Sequence, residues 1–175
     1  MIRNERVARK EQVLRIGLQM MTAARTAPKG KGMDIIEIAL VTDDDITRLS
    51  DELQKLGEEK GLKFMLRDAT NILHAEAILL VGTASRTHGL NCAHCGYPTC
   101  GEKPDFVPCA LNSVDVGIAL GSACATAADL RVDTRVMFSA GLAAQQLHLL
   151  GDCKTVFAIP ISVSSKNPFF DRKVD

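Results

Sequence analysis

Six cysteines, at positions 92, 95, 100, 109, 124 and 153, carry most of the chemistry this chain could perform. Four of them fall between Asn91 and Cys109 with the spacing C-x2-C-x4-C-x8-C. The N-terminus, Met1 to Arg6, is charged and leads into a segment interrupted by Lys10, Glu11 and Arg15. That is not the pattern of a signal peptide, and the expected location is the cytoplasm. Thiols are kept reduced there, so a cysteine cluster points to metal binding or redox chemistry rather than to disulfides. Two thiolates two residues apart can reach one metal centre from a single turn. Gly96 and Gly101 allow the chain to fold back and aim N–H groups at a sulfur, and Pro98, Pro104 and Pro108 stiffen the wrap. Four thiols match the ligand count of a [4Fe-4S] cluster. They also match a structural zinc site, although zinc sites more often use two CxxC halves set apart. Unligated thiols are the third possibility.

The remaining reactive residues have plainer explanations. Lys29 and Lys31 flank Gly30 in a glycine loop that could hold a phosphate, but the Walker pattern is missing and a solvated connection is simpler. Arg135 sits among apolar neighbours and requires a carboxylate or an anion, with Asp115 or Asp133 as the expected partner. Cys124 and Cys153 suit packing. His94 is expected to be exposed, and His74 and His148 to be ordinary surface or half-buried residues. No nucleophile–base pair, HExxH or paired-carboxylate pattern occurs.

The elements that must position these residues follow from periodicity. Residues 5–25 predict a helix with Val7, Leu14, Leu18 and Met21 on its apolar side. Residues 34–41 predict a strand, and Thr42 with Asp45 resembles a capping box. The next helix carries Ile46, Leu49, Leu53 and Leu56 and is closed by Gly61. A shorter helix spans 64–73, and 77–81 is a continuous apolar run suited to a buried strand. Regular patterning then stops over 83–111, a length that is uncommon without a function. A helix dense in Ala and Gly spans 114–130, followed by a strand at 134–138, a helix at 140–150 and a strand at 155–159 that Pro160 should end or place at an edge. Phe169 and Phe170 in the polar tail should dock onto something, such as a second subunit. The chain has 175 residues, 46% of them apolar and 24% charged, with 21 Lys+Arg against 21 Asp+Glu. This suits one folded α+β or α/β domain, residues 1–175, with the cysteine loop 83–111 inserted midway. The balance excludes a nucleic-acid surface over the whole protein, disorder, and a long uncharged membrane span.

Two resemblances extend this reading. The segment Cys92 to Cys100 is similar to the cysteine motif of four-iron ferredoxin-type domains. Asp115 to Ala123, Val132 to Ser139, Ile159 to Val163 and Lys166 to Arg172 resemble a family of uncharacterised ferredoxin-domain-containing proteins, over about residues 23–172. That resemblance implies Cys92, Cys95, Cys100 and Cys109 as cluster ligands, with Cys124 as a substitute for Cys109, and single-electron transfer to an unidentified partner. Tyr97 and Phe106 would shield one side of the cluster. The second resemblance runs from Ala24-Arg25-Thr26-Ala27-Pro28 through the succeeding helices and strands, whose layout resembles flavin-dependent nitroreductases. It implies a nitroreductase-like sheet core flanked by helices, a homodimer, and FMN between subunits, which makes an FMN-dependent oxidoreductase fed by the cluster the alternative function. Arg25, Lys29 and Lys31 are then where the FMN phosphate would sit. The Arg-rich phosphate motif of those enzymes is not matched by Arg3 to Arg9.

Overall fold

A computed structural model describes residues 2–170; Asp171 and Arg172, the end of the C-terminal motif, lie outside the described residues. Helix α1 spans Glu5–Thr26, and a single tight turn at Gly30–Gly32 leads to strand β1, Ile36–Val41. Helices α2 (Asp44–Lys60) and α3 (Lys63–Ile72) precede β2, Ala77–Thr83. The long helix α4, Ala110–Asp129, follows the cysteine loop. A two-residue strand β3 (Asp133–Thr134), helix α5 (Phe138–Gln146) and strand β4 (Lys154–Ser162) complete the chain.

The strands form one antiparallel sheet in the order β1-β2-β4-β3. Side chains alternate across a strand, and that alternation divides the core in two. Val41, Ile78, Leu80, Val156 and Ala158 face α2, α3 and α5. Ile36, Leu79, Val81, Ile159 and Ile161 face α1 and α4. Helices on both sides explain why β2 reads as an unbroken apolar run: all its residues are buried. Small residues set the spacing of the layers. A Cβ built on Gly141 would lie 2.0 Å from the Val156 carbonyl oxygen, so α5 rests directly on the β4 backbone.

Several expectations are corrected by the packing. In α1 the buried stripe is Val13, Ile16, Gly17, Met20 and Ala24, while Val7 and Leu18 are exposed. The smaller stripe wins because α1 passes close to β1: a Cβ on Gly17 would meet Leu40 at 2.8 Å. Asp43, at φ 55°, occupies the N-cap of α2 and gives no side-chain cap. The Asp45 N–H bonds the Thr42 carbonyl instead, so no capping box forms.

The strand expected at 134–138 is reduced to Asp133–Thr134 plus one further pairing, Met137 with Ala158. The helix expected at 140–150 starts earlier and stops at Gln146. Strand β4 continues through Pro160 in the middle of the sheet. Ala158 exchanges both backbone hydrogen bonds with Met137, at 2.8 and 3.0 Å. Pro160, two residues on, therefore turns its missing donor toward the same side. There it meets the stretch between Thr134 and Met137, where β3 has already left the ladder.

Arg135 is paired with neither Asp115 nor Asp133. It donates to the Phe169 carbonyl at 2.8 Å and lies 4.9 Å over the Phe170 ring. Phe169 is buried in this chain's own core, so the tail docks intramolecularly. Among the described residues, α4 alone is long and apolar enough to cross a membrane by length and composition; one of its faces packs on α1 and the sheet.

Candidate functional site

Regular structure ends at Thr83 and resumes at Ala110, and the segment between is tied down at its base. The Ala84 N–H donates to the Ile35 carbonyl at 2.9 Å, which carries the chain off the edge of β1. Asn112, buried in the first turn of α4, donates through Nδ2 to the carbonyls of Ala84 (3.3 Å) and Arg86 (2.7 Å). His88, only 2% exposed, bonds through Nε2 to Asp115 Oδ2 at 2.9 Å. Both oxygens of Asp115 also accept the Gly30 N–H, at 3.0 and 3.1 Å. A carboxylate oxygen accepts, so Nε2 is the ring nitrogen that donates in this contact, and Nδ1 is left for another partner. That Nδ1 is buried without a hydrogen-bond partner.

Beyond His88 the backbone forms a cradle. Gly89 and Asn91 have left-handed φ values of 66° and 47°, a conformation that points successive N–H groups at one centre. The atom they face is the Cys100 sulfur. The Asn91 N–H donates to it at 3.4 Å, and the Cys100 N–H returns to Asn91 Oδ1 at 2.8 Å. The Asn91 N–H thereby holds the Cys100 thiol below its ordinary range, against a smaller opposing effect of burial, with the Thr87 hydroxyl and the N–H groups of Leu90 and Gly89 assisting.

The CxxC turn has Ala93 at φ 58° and Gly96 at φ 90°, closed by a Gly96 N–H bond to the Ala93 carbonyl at 2.9 Å. Lys103 is buried and donates to the carbonyls of Pro104 (3.0 Å) and Val107 (2.6 Å), strapping the last arm of the loop. Cys109 is the N-cap residue of α4, where the helix dipole favours negative charge on a ligand.

All six cysteines are free; Cys92, Cys95 and Cys100 are half-buried and Cys109 is buried. Among the described residues, no three His, Cys, Asp or Glu side chains stand together closely enough to hold a metal ion. The four thiols share one loop without being gathered at one point. The donor set nonetheless suits a thiolate-bound metal group: four unpaired thiols, one of them already held by N–H donors that would continue to serve a coordinated sulfur.

Cys124 lies fifteen residues along α4 from Cys109, about 22 Å at 1.5 Å per residue. It sits in the body of the helix rather than on the loop, and burial pushes its thiol up. His94 is exposed, with Nδ1 on the Cys92 carbonyl at 2.9 Å. Phe106, expected as a shield, is 85% exposed and covers nothing. Sequence reading gave His88, Asn91 and Asn112 no role and Asp115 only a role as a partner for Arg135. The only signal for them was local: polar residues in and just after a glycine-rich loop.

The three cations placed at a flavin phosphate are each engaged. Arg25 pairs with Asp34 at 2.7 Å and donates to the Ile36 carbonyl at 2.6 Å. Lys29 donates to the Ala24 carbonyl at 3.1 Å and to that of Arg25, closing the C-terminus of α1. Lys31 donates to the His88 carbonyl at 3.2 Å.

Residues 106–172 match the family described as uncharacterized proteins containing a ferredoxin domain; of the four loop cysteines, that span holds Cys109. An uncharacterized protein of Archaeoglobus fulgidus is 40% identical, with 98% of each chain covered. Among solved structures, one titled as an oxidoreductase containing FMN is similar with a TM-score of 0.60 at 15% identity, covering 87% of this chain and 67% of that one. A nitroreductase with bound FMN from Desulfitobacterium hafniense gives 0.58 at 16% identity, covering 90% and 82%. A BluB-like flavoprotein from Clostridium difficile gives 0.57 at 17%, covering 87% and 81%. At these identities the likeness is one of fold, and the fold is the α+β, nitroreductase-like body that the second resemblance implied.

Proposed function

The chain belongs to the family of uncharacterized proteins containing a ferredoxin domain, and on that premise we propose that it is an iron–sulfur redox protein. Its cluster would be [4Fe-4S], held by Cys92, Cys95, Cys100 and Cys109. The observation that carries this is the cradle of N–H groups around the Cys100 sulfur on a loop with three further free thiols. When bound, such a cluster supplies a one-electron couple. The chain's own residues would bind and tune it. The Asn91 N–H stabilises charge on the Cys100 sulfur, Cys109 presents its sulfur at a helix N-terminus, and Lys103 holds the arm between them. Reduced thiols suit a cytoplasmic setting.

Exposed Leu90 and Phe106 on the same loop offer an apolar contact for an electron partner. A second copy of the chain would cover the outward stripe of α4, where Leu111, Val114, Ile118, Gly121, Ala125 and Ala128 recur at alternating three- and four-residue spacing. Val114 is 54% and Ile118 40% exposed there.

Anaerobic purification with iron, sulfide and zinc quantified tests the reading. About four irons and four sulfides per chain are expected, with loss of both in Cys95→Ala and Cys100→Ala and retention in Cys124→Ala. One zinc per chain without sulfide would replace the redox role with a structural one.

A further inference from the structure

The fold is shared with flavoproteins, and the chain has a loop suited to a phosphate. In the Lys29–Gly32 turn, with Lys31 at φ 54° and Gly32 at φ 65°, the Gly32 and Met33 N–H groups bond the Lys29 and Gly30 carbonyls, and the Gly30 N–H is turned outward to an acceptor. We propose that this loop carries a built-in anion, the Asp115 carboxylate, and that the protein therefore retains a nitroreductase-like body without binding FMN. The inference concerns a different part of the molecule from the cysteine ligands and stands whether those hold iron–sulfur or zinc.

Three observations support it. The Asp115 side chain is 4% exposed and saturated from two sides: Gly30 N–H reaches both oxygens and His88 Nε2 one of them. A phosphate seated on Gly30 would have to displace the carboxylate, leaving a buried acceptor with His88 as its remaining partner and a second anion beside it, which is costly. His88 also closes the space above the loop, since a Cβ on Gly30 would come within 3.3 Å of its Nε2. Finally, the cations that would neutralise a phosphate are spent on this chain's own acceptors: Arg25 on Asp34, Lys29 on the end of α1, Lys31 on His88.

The built-in anion has a positive consequence. Gly30 precedes β1, His88 opens the cysteine loop and Asp115 sits in the second turn of α4, so one carboxylate joins three segments far apart in sequence. At the loop where the sequence resemblance placed a flavin phosphate, this chain has an internal tie that seats the base of its cysteine loop.

The test is a titration of the full-length protein, as purified, with FMN. Equilibrium dialysis and flavin fluorescence are read together with the amide signal of Gly30. Wild type is expected to bind no FMN up to about 1 mM and to leave Gly30 unmoved. In Asp115→Ser, which removes the carboxylate, inorganic phosphate should shift the Gly30 and Lys31 amides saturably. One FMN per wild-type chain overturns the inference. So does a folded Asp115→Ser protein whose Gly30 amide ignores phosphate. If that variant does not fold, the wild-type titration decides alone.

Discussion

Gly141 and Gly117 should respond to the same substitution with opposite sign. Gly141 lies in α5 against β4, where an added Cβ would stand 2.0 Å from the Val156 oxygen, 2.6 Å from its carbonyl carbon and 2.7 Å from the Phe157 Cα. Ordinary contacts between such atoms begin near 3.4 Å, so α5 must retreat by more than 1 Å. No rotamer change can absorb this, because all three neighbours are backbone. A gap of 0.5–1 Å already forfeits roughly a quarter to a half of each dispersion contact. The residues that would lose them are Met137, Ala140, Ala143 and Ala144, all within 2% of full burial.

Overpacking costs typically 1–3 kcal/mol, and a backbone clash on this scale belongs at the top of that range, about 3 kcal/mol. Gly117 is exposed on α4 with nothing within 4 Å of its built Cβ. There alanine restores helix propensity and stabilises by about 0.5–1 kcal/mol. Urea denaturation of both variants measures the difference, expected near 4 kcal/mol; by melting, each kcal/mol corresponds to about 2–4 °C for a chain of this size. Equal effects, or a Gly141→Ala cost below about 1 kcal/mol, would refute the close packing of α5 on β4.

Three further outcomes are expected. Burial pushes the Cys153 thiol from 9.0 up to about 11, with the Glu37 and Asp152 charges adding to it. The raised value means the protonated thiol stabilises the fold below pH 9, and that contribution is lost as pH rises toward 11. Cys153→Ala should therefore flatten the alkaline limb of stability against pH, and an unchanged limb counts against it. Ile118→Asp places a charge in the outward stripe of α4 and should weaken self-association at least tenfold by light scattering, with the melting curve of a folded chain retained. A monomeric wild type at the same concentration removes the dimer. Asn91→Gly keeps the left-handed backbone at φ 47° but deletes the Oδ1 that receives the Cys100 N–H, whereas Asn91→Val strains the backbone as well by roughly 1–2 kcal/mol. Metal retention during anaerobic dialysis should fall in the order wild type, glycine, valine; equal retention in all three would show that the cradle does not hold Cys100.

What the sequence determined is what depends on neighbours along the chain. The α2 stripe of Ile46, Leu49, Leu53 and Leu56, the Gly61 stop at φ 66°, the buried run of β2 and the unpatterned cysteine loop all follow from periodicity and turn chemistry within a few residues. The interleaving of helices and strands indicated one mixed domain, and an unbroken apolar strand indicated a sheet covered on both faces; the nitroreductase-like body was implied by the resemblance.

The tertiary structure decided what depends on close approach between distant segments. The inward face of α1 was fixed by Leu40 crossing Gly17, not by the larger side chains Val7 and Leu18. Pro160 was tolerated mid-sheet because β3 departs opposite it. Arg135 found a carbonyl and a ring in the tail where a carboxylate was expected. The joint of Gly30, His88 and Asp115 is not marked by any spacing in the sequence. Its three residues meet only after α4 folds back beside the Gly30 turn, and a buried carboxylate is stable there only because both of its donors arrive with it.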